Sequence, residues 1–202
     1  MVAPLFGIIV IGVSQGGMNA LETLLGGLPA DFAVPIVIVQ HRSAESQGMR
    51  LASLLQRYSR LRVREPQDKE TIQSGHIYLA PPDYHLLIDQ NEFALSTEGP
   101  VSFARPSIDV LFQSAADAFA ERAIAMILTG SNRDGAEGAA RIKARGGILL
   151  VQEPETAECA AMPQAALDTT RPDRILPLAL IAPVLTDLCR PNTLLFDAGL
   201  KP

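Results

Sequence analysis

Four short apolar segments rich in valine and isoleucine divide the chain. Each is closed by glycine or polar residues, a pattern typical of central strands in a parallel sheet that is covered on both faces. They are residues 7–13, 34–40, 123–130 and 147–152. The sequence therefore predicts an α/β protein with these four strands at the centre of a parallel sheet.

Helical spacing of apolar residues appears between and after these segments. Leucines on one helix face separate the first two strands and end in a Gly-Gly-Leu-Pro stop at residues 26–29, which completes a β-α-β unit. A second helix is predicted over residues 49–58. A third follows Pro106, where Ser107 can cap the first turn and Asp109 suits the positive end of the helix dipole.

The middle of the chain has the pattern of antiparallel strands. Residues 76–89 hold two strand-like runs around a Pro-Pro-Asp turn at 81–83, and residues 92–98 supply a third run. His76 and His85 flank that turn, and we interpret both as structural because no carboxylate cluster accompanies them. The predicted fold is a doubly wound, mainly parallel sheet flanked by helices, with an antiparallel hairpin insertion.

Composition limits the class of protein. The chain has 202 residues, of which 48% are hydrophobic and 19% charged, so we expect one globular domain over residues 1–190 and a loosely held tail over 191–202. A net charge of -5 argues against a nucleic-acid partner. No apolar run reaches the roughly 20 residues of a membrane helix, and the apolar N-terminus lacks a charged signal-peptide region. We expect a cytoplasmic protein without membrane insertion.

Three polar side chains follow predicted strands. Ser14 lies in Gly-Val-Ser-Gln-Gly at 12–16, the G-x-S-x-G pattern of a nucleophile elbow, although such a glycine turn can equally hold a phosphate. His41 follows the second strand and Asp134 follows the third. Because the carboxyl ends of parallel strands share one crevice, the sequence predicts a serine, histidine and aspartate triad for acyl transfer. The alternatives are a turn serine and a helix-capping aspartate.

The sequence resembles a known family in several segments. In order and spacing, six of them are similar to the catalytic domain of the chemotaxis methylesterases, the protein-glutamate methylesterases: GVSQGG, VIVQHRS, SGHIYLAPPDYHLLI, RPSIDVLFQSAA, AIAMILTGSNRDGAEGA and MPQAAL. The resemblance implies that Ser14 is the nucleophile, His41 the base and Asp134 the acid. It also implies the doubly wound sheet with a hairpin.

Further site residues follow from the expected mechanism and from that resemblance. The backbone amides at Gln15 and near Ser131 are the expected donors to a tetrahedral oxyanion. Arg105 lies in the RPSID segment, and we interpret it as a group that attracts an acidic receptor segment, with an ordinary surface charge as the alternative. No metal or organic cofactor is expected, because the triad mechanism requires none and the two cysteines fit no metal-ligand spacing.

The chain departs from the family pattern in two places. The family's usual T-G-M-G-x-D-G loop is Thr-Gly-Ser-Asn-Arg-Asp-Gly at 129–135 here, and the histidine that often precedes R-P-S is Ala104. The triad residues remain, and we expect the substrate contacts to differ from those of the family. Family members usually carry an N-terminal receiver domain, whereas this chain starts six residues before its first strand, so we expect a stand-alone catalytic domain and a separate receiver protein as a partner.

The function implied by the resemblance is a serine hydrolase. It would remove methyl esters from glutamate side chains on the cytoplasmic helices of a methylated chemoreceptor, and would deamidate receptor glutamines. The altered loop favours a rival interpretation, a receptor-binding module without turnover. A nucleotide-binding domain fits least, because the sequence lacks a P-loop lysine and GVSQGG does not supply G-x-G-x-x-G.

Overall fold

A computed structural model describes residues 5–41 and 51–190 of the chain. The strands of these ranges are β1 Ile8–Val13, β2 Ile36–Gln40, β3 Arg62–Arg64, β4 His76–Leu79, β5 His85–Asp89, β6 Glu92–Ser96, β7 Ala123–Ile127, β8 Ile148–Gln152 and β9 Arg174–Leu176. The α-helices are α1 Gly17–Gly26, α2 Leu51–Leu55, α3 Ile108–Phe119, α4 Ala136–Ala144, α5 Ala161–Thr169 and α6 Leu178–Leu188.

Seven of the strands form one parallel sheet. Their order is β3-β4-β2-β1-β7-β8-β9, and all six pairings between neighbours are parallel. Alternate residues of β1 enter opposite apolar clusters. Ile9 and Ile11 pack with α1, α2 and α6 on one face, and Ile8 and Val10 pack with α3, α4 and α5 on the other. The predicted doubly wound α/β fold is confirmed.

The strand order reverses at β1. From β1 the chain passes to β2 on one side, and it later returns to β7 on the other side of β1. In sheets of this type, ligands bind outside the carboxyl ends of the strands at such a switch point. Residues that directly follow β1, β2 and β7 therefore share one crevice.

The hairpin differs from its predicted form. β4 is not antiparallel: it pairs in parallel with β2, placing Ile77 opposite Ile36, and Ile77 is fully buried. Pro81 and Pro82 lack the N–H groups of a hairpin ladder, so the chain leaves the sheet there. The antiparallel pair is β5 with β6, in which Asp89 lies opposite Glu92.

The edges of the sheet were not predicted. β3 and β9 have three residues each and are largely exposed or half-buried, so they carry no clear apolar pattern. The helix predicted at 49–58 is α2, whose described part is shorter, and residues 49 and 50 lie outside the described residues, as does the predicted tail 191–202. Within the described ranges, no helix is long and apolar enough to cross a membrane.

Candidate active site

Ser14 lies in the tight turn between β1 and α1. Gly16 has a φ of 77°, a left-handed conformation that favours glycine. The Ser14 carbonyl accepts a hydrogen bond from the Gly17 N–H at 3.0 Å, and the Ser14 N–H donates to Thr129 O at 2.9 Å. A Cβ atom on Gly130 would approach Ser14 Cβ to 3.0 Å. Glycines therefore permit the close backbone approach around the hydroxyl.

One buried amide joins the backbone of Ser14 to that of His41. Gln40 Nε2 donates to the Ser14 carbonyl at 2.9 Å and to the His41 carbonyl at 2.7 Å. The His41 N–H in turn donates to Val13 O at 3.0 Å. The ends of β1 and β2 are thus held in a fixed relation. Gln40 was not predicted as a site residue, because a glutamine at a strand end has no signal of its own.

Asp134 contacts His41 in the buried end of the site. Asp134 Oδ2 lies 2.8 Å from His41 Nε2, and the aspartate side chain is fully buried while that of His41 is 12% exposed. At the start of α3 the carboxylate also accepts the Ser107 hydroxyl at 2.8 Å and the N–H groups of Ile108 and Asp109 at 2.7 and 3.0 Å. The carboxylate therefore makes the histidine contact that the predicted triad requires, and it also caps the start of α3.

These contacts determine the charge of Asp134. Burial alone would raise the pKa of its carboxyl, but the His41 hydrogen bond and the backbone N–H groups of Asp109 and Ile108 outweigh burial and lower that pKa below its usual value. An ionised Asp134 can only accept a hydrogen bond, so the ring proton of His41 lies on Nε2 and is donated to Asp134 Oδ2. The nitrogen left for a general base is therefore Nδ1.

Ser14, His41 and Asn132 line one open cavity of about 500 Å³, a size typical of ligand sites. The Ser14 hydroxyl forms no hydrogen bond to any residue that the structure describes, and His41 Nδ1 instead lies 3.3 Å from Asn132 Nδ2. The described residues that line it are Ser14, Gln15, His41, Phe103, Ala104, Arg105, Pro106 and Asn132. The structure thus joins two of the three predicted residues directly and places the third in the same cavity.

The other predicted site residues fall in different places. Gln15 lines the cavity, whereas Ser131 is exposed and absent from that lining. Arg105 lines the rim, where its Nη1 donates to Thr97 O and Glu98 O, both at 3.1 Å. Phe103 on the same rim is fully exposed. A cation and an aromatic ring therefore stand at the mouth of the cavity.

Ser107 and His85 lie behind the site and support it through contacts that the sequence did not predict. His85 Nδ1 accepts the Ser107 N–H at 3.2 Å, and His85 Nε2 is 3.0 Å from Gly99 O, so this buried histidine positions Ser107. The predicted structural role of His85 agrees with these contacts. Within residues 5–41 and 51–190, no group of three histidine, cysteine, aspartate or glutamate side chains is placed to hold a metal ion.

A second buried carboxyl lies next to Asp134. Asp109 Oδ1 accepts the Gly138 N–H at 2.7 Å, so its side chain caps α4 as well as lying in the first turn of α3. Burial raises the pKa of Asp109 to about 6, the Gly138 hydrogen bond opposes that rise, and the negative charge of Asp134 adds to it. The Asp109 carboxyl is therefore mostly ionised at neutral pH and becomes protonated in mild acid.

The exchange Asp109→Asn is expected to stabilise the protein more at pH 8 than at pH 4. The pKa of Asp109 is higher in the folded chain, at about 6, than the ordinary value of 3.8, so its contribution to stability is present below pH 4 and is lost as the pH rises through 6. Asparagine keeps an oxygen for the Gly138 N–H and carries no charge. We expect the gain to grow by roughly 1–3 kcal/mol between pH 4 and pH 8.

Urea unfolding of both proteins across that pH range measures this gain. Asp117→Asn serves as the control, because Asp117 is exposed on the same helix and the Arg141 hydrogen bond lowers the pKa of its carboxyl. Its effect on stability should be small and should not grow with pH in the same direction. A difference between Asp109→Asn and the parent that stays constant with pH would contradict the assignment.

The fold and the cavity define an α/β protein in which a serine and a histidine–aspartate pair gather at the switch point of a doubly wound sheet. The chain belongs to the CheB methylesterase family, whose model matches residues 9–185. This confirms the family that the sequence segments predicted.

Individual relatives agree in sequence and fold. The chain is 46% identical over 185 residues to a Leptospira interrogans relative named provisionally as a protein-glutamate methylesterase/protein-glutamine glutaminase, covering 91% of this chain and 95% of the relative. It is 40% identical to protein-glutamate methylesterase/protein-glutamine glutaminase 2 of Anaeromyxobacter dehalogenans, covering 91% of this chain and 53% of that relative. The crystal structure of the Thermotoga maritima CheB methylesterase catalytic domain matches with a TM-score of 0.84 and 34% identity, covering 91% of this chain and 98% of that domain.

Proposed function

We propose that this chain is a serine hydrolase that removes methyl esters from glutamate side chains of a chemoreceptor. The observation that carries the proposal is the 2.8 Å hydrogen bond between Asp134 and His41, together with the cavity that His41 lines with Ser14. The chain belongs to the CheB methylesterase family. A relative that this chain nearly spans is named for both methylesterase and glutaminase activity.

The proposed reaction begins with proton transfer from Ser14 Oγ to His41 Nδ1. The oxygen attacks the ester carbonyl, and the backbone N–H groups of Gln15 and Ser131 are the proposed donors to the resulting oxyanion. Methanol leaves with the proton from His41. Water, activated by the same imidazole, then hydrolyses the glutamyl-Ser14 ester and releases the carboxylate. A receptor glutamine would follow the same path with ammonia as the leaving group.

The proposed substrate is a side chain on a cytoplasmic helix of a methyl-accepting chemoreceptor, which puts the reaction in the cytoplasm. The open cavity supports this choice, because a glutamate on a folded helix must enter from outside. Arg105 and the exposed Phe103 on the rim are the proposed contacts to that helix. A separate receiver protein is the proposed regulatory partner.

Methanol release from membranes that carry methylated receptor tests this function. We expect methanol to form in proportion to the enzyme added, together with loss of receptor methyl groups. The rival is a receptor-binding module without turnover, which the altered loop at 129–135 favours. Receptor binding without methanol release would support that module and contradict the hydrolase.

A further inference from the structure

Asn132 contacts the nitrogen of His41 that the proposed mechanism uses as its base. Asn132 Nδ2 lies 3.3 Å from His41 Nδ1, and Asn132 Oδ1 accepts the Asp134 N–H at 3.2 Å. The reverse orientation of the amide would place an oxygen against the lone pair of Nδ1 and an NH₂ group against the Asp134 N–H. The hydrogen-bond pattern therefore fixes which end of the amide meets the imidazole.

Asn132 and Ser14 compete for a single lone pair. A neutral imidazole has one acceptor nitrogen, and here it is Nδ1 because Nε2 donates to Asp134. The Ser14 hydroxyl must donate to this nitrogen before its oxygen can attack a carbonyl. In the structure the Asn132 amide holds that place, and Ser14 and Asn132 line the same cavity. A substrate side chain that enters the cavity meets both.

We propose that Asn132 is a positioning residue that covers the general base of the free protein and releases it when a receptor side chain enters the cavity. The proposal rests on the proposed function. The Asn132–His41 hydrogen bond must break before His41 Nδ1 can accept the proton of Ser14. Asn132 thereby lowers the reactivity of Ser14 towards small molecules and favours substrates that displace its amide.

A purely structural role for Asn132 gives different expectations. Asn132 Oδ1 also closes a turn onto the Asp134 N–H, a local contact that asparagine and aspartate make equally well. If the turn were its only role, the exchange Asn132→Asp would have no effect and Asn132→Ala would loosen the loop. These two exchanges therefore separate the two roles.

The experiment measures how fast a fluorophosphonate labels Ser14 in the 202-residue chain and its variants. In this reaction the Ser14 Oγ–P bond forms, fluoride leaves, and the hydroxyl proton passes to His41 Nδ1. Asn132→Ala should label about fivefold faster, the factor that corresponds to the net contribution of one neutral hydrogen bond. Arg133→Ala is the matched control. Among the residues that the structure describes, this exposed neighbour forms an ion pair only with Glu137, at 3.9 Å, and the variant should label at the parent rate.

Asn132→Asp should have the opposite effect. One carboxylate oxygen of the aspartate variant accepts the Asp134 N–H and keeps the turn. The other oxygen takes the place of the NH₂ group and favours a proton on His41 Nδ1. We expect about tenfold slower labelling at pH 7 and a rate profile displaced to higher pH. Among the described residues, the other ionisable groups on this side are Asp134, which is hydrogen-bonded to Nε2, Asp109 behind it, and Arg105 on the cavity rim.

The outcomes are distinguishable. Faster labelling of the alanine variant with slower labelling of the aspartate variant would support the proposal. Equal rates in all proteins, or slowing in the alanine variant alone, would overturn it while leaving the proposed function standing. If thermal melting shows that the alanine variant is misfolded, the aspartate variant decides, and an unchanged rate overturns the proposal. Absence of Ser14 labelling in the parent protein would overturn the proposed function itself.

Discussion

The exchange Ser14→Ala is expected to abolish methanol release from methylated receptor, lowering the rate by several powers of ten. Alanine has no oxygen to form the glutamyl ester, so the two-step reaction has no nucleophile. The remaining parts of the site, including the His41–Asp134 pair, do not use the Ser14 hydroxyl for any hydrogen bond among the described residues. The loss should therefore be chemical and not structural.

The variant should stay folded and retain receptor binding. Ser14 is held by its backbone, through the Thr129 carbonyl and the Gln40 amide, and alanine keeps both contacts. Ser59→Ala is a suitable control, because Ser59 lies between α2 and β3 and, within the described ranges, its hydroxyl only accepts the Leu61 N–H. Methanol release by Ser14→Ala at more than about one hundredth of the parent rate would exclude Ser14 as the nucleophile.

The exchange Asp134→Asn should lower the rate by about 10³ to 10⁴. An ionised Asp134 can only accept, so it holds the proton of His41 on Nε2 and leaves Nδ1 free. An asparagine NH₂ group in that place donates to Nε2, and the ring proton then moves to Nδ1, where it blocks the base. Single-turnover measurement of methanol release reports this step directly.

The exchange Asp134→Asn is also expected to lower the stability of the protein, because it removes at least one hydrogen bond that the Asp134 carboxylate accepts. Its two oxygens accept from His41 and from three donors at the start of α3, so an NH₂ group must face at least one N–H or O–H donor. Thermal melting should therefore accompany the kinetics, with Asp117→Asn as the exposed control on α3. A loss below about tenfold in a folded protein would mean that Asp134 is only a helix cap.

The centre of the fold could be predicted from the sequence and its edges could not. The strands β1, β2, β7 and β8 are almost wholly buried. Because both faces of such a strand are covered, its residues are apolar on both faces, and the sequence shows each strand as a continuous apolar run. The edge strands β3 and β9 are short and partly exposed, so nothing forces an apolar pattern on them. β4 was misplaced because an apolar strand next to a turn has the same pattern in a hairpin and in a parallel sheet.

The candidate site divides in a similar way. Residues that follow central strands could be predicted to meet, because parallel strands end at one edge of the sheet. Gln40, Ser107 and Asn132 act through side-chain hydrogen bonds to partners far away in sequence, and these depend on rotamers that no periodicity records. The sequence likewise could not predict that Nε2 of His41, and not Nδ1, forms the hydrogen bond with Asp134.

The most direct measurement of the central claim is to trap the nucleophile. The parent protein, His41→Ala and Asp134→Asn are treated with a fluorophosphonate, and intact mass followed by peptide mapping locates the adduct. We predict one adduct per parent chain, on Ser14, with little or none in the two variants over the same time. An adduct on another residue, or equal labelling of Ser14 in all three proteins, would contradict a triad of Ser14, His41 and Asp134.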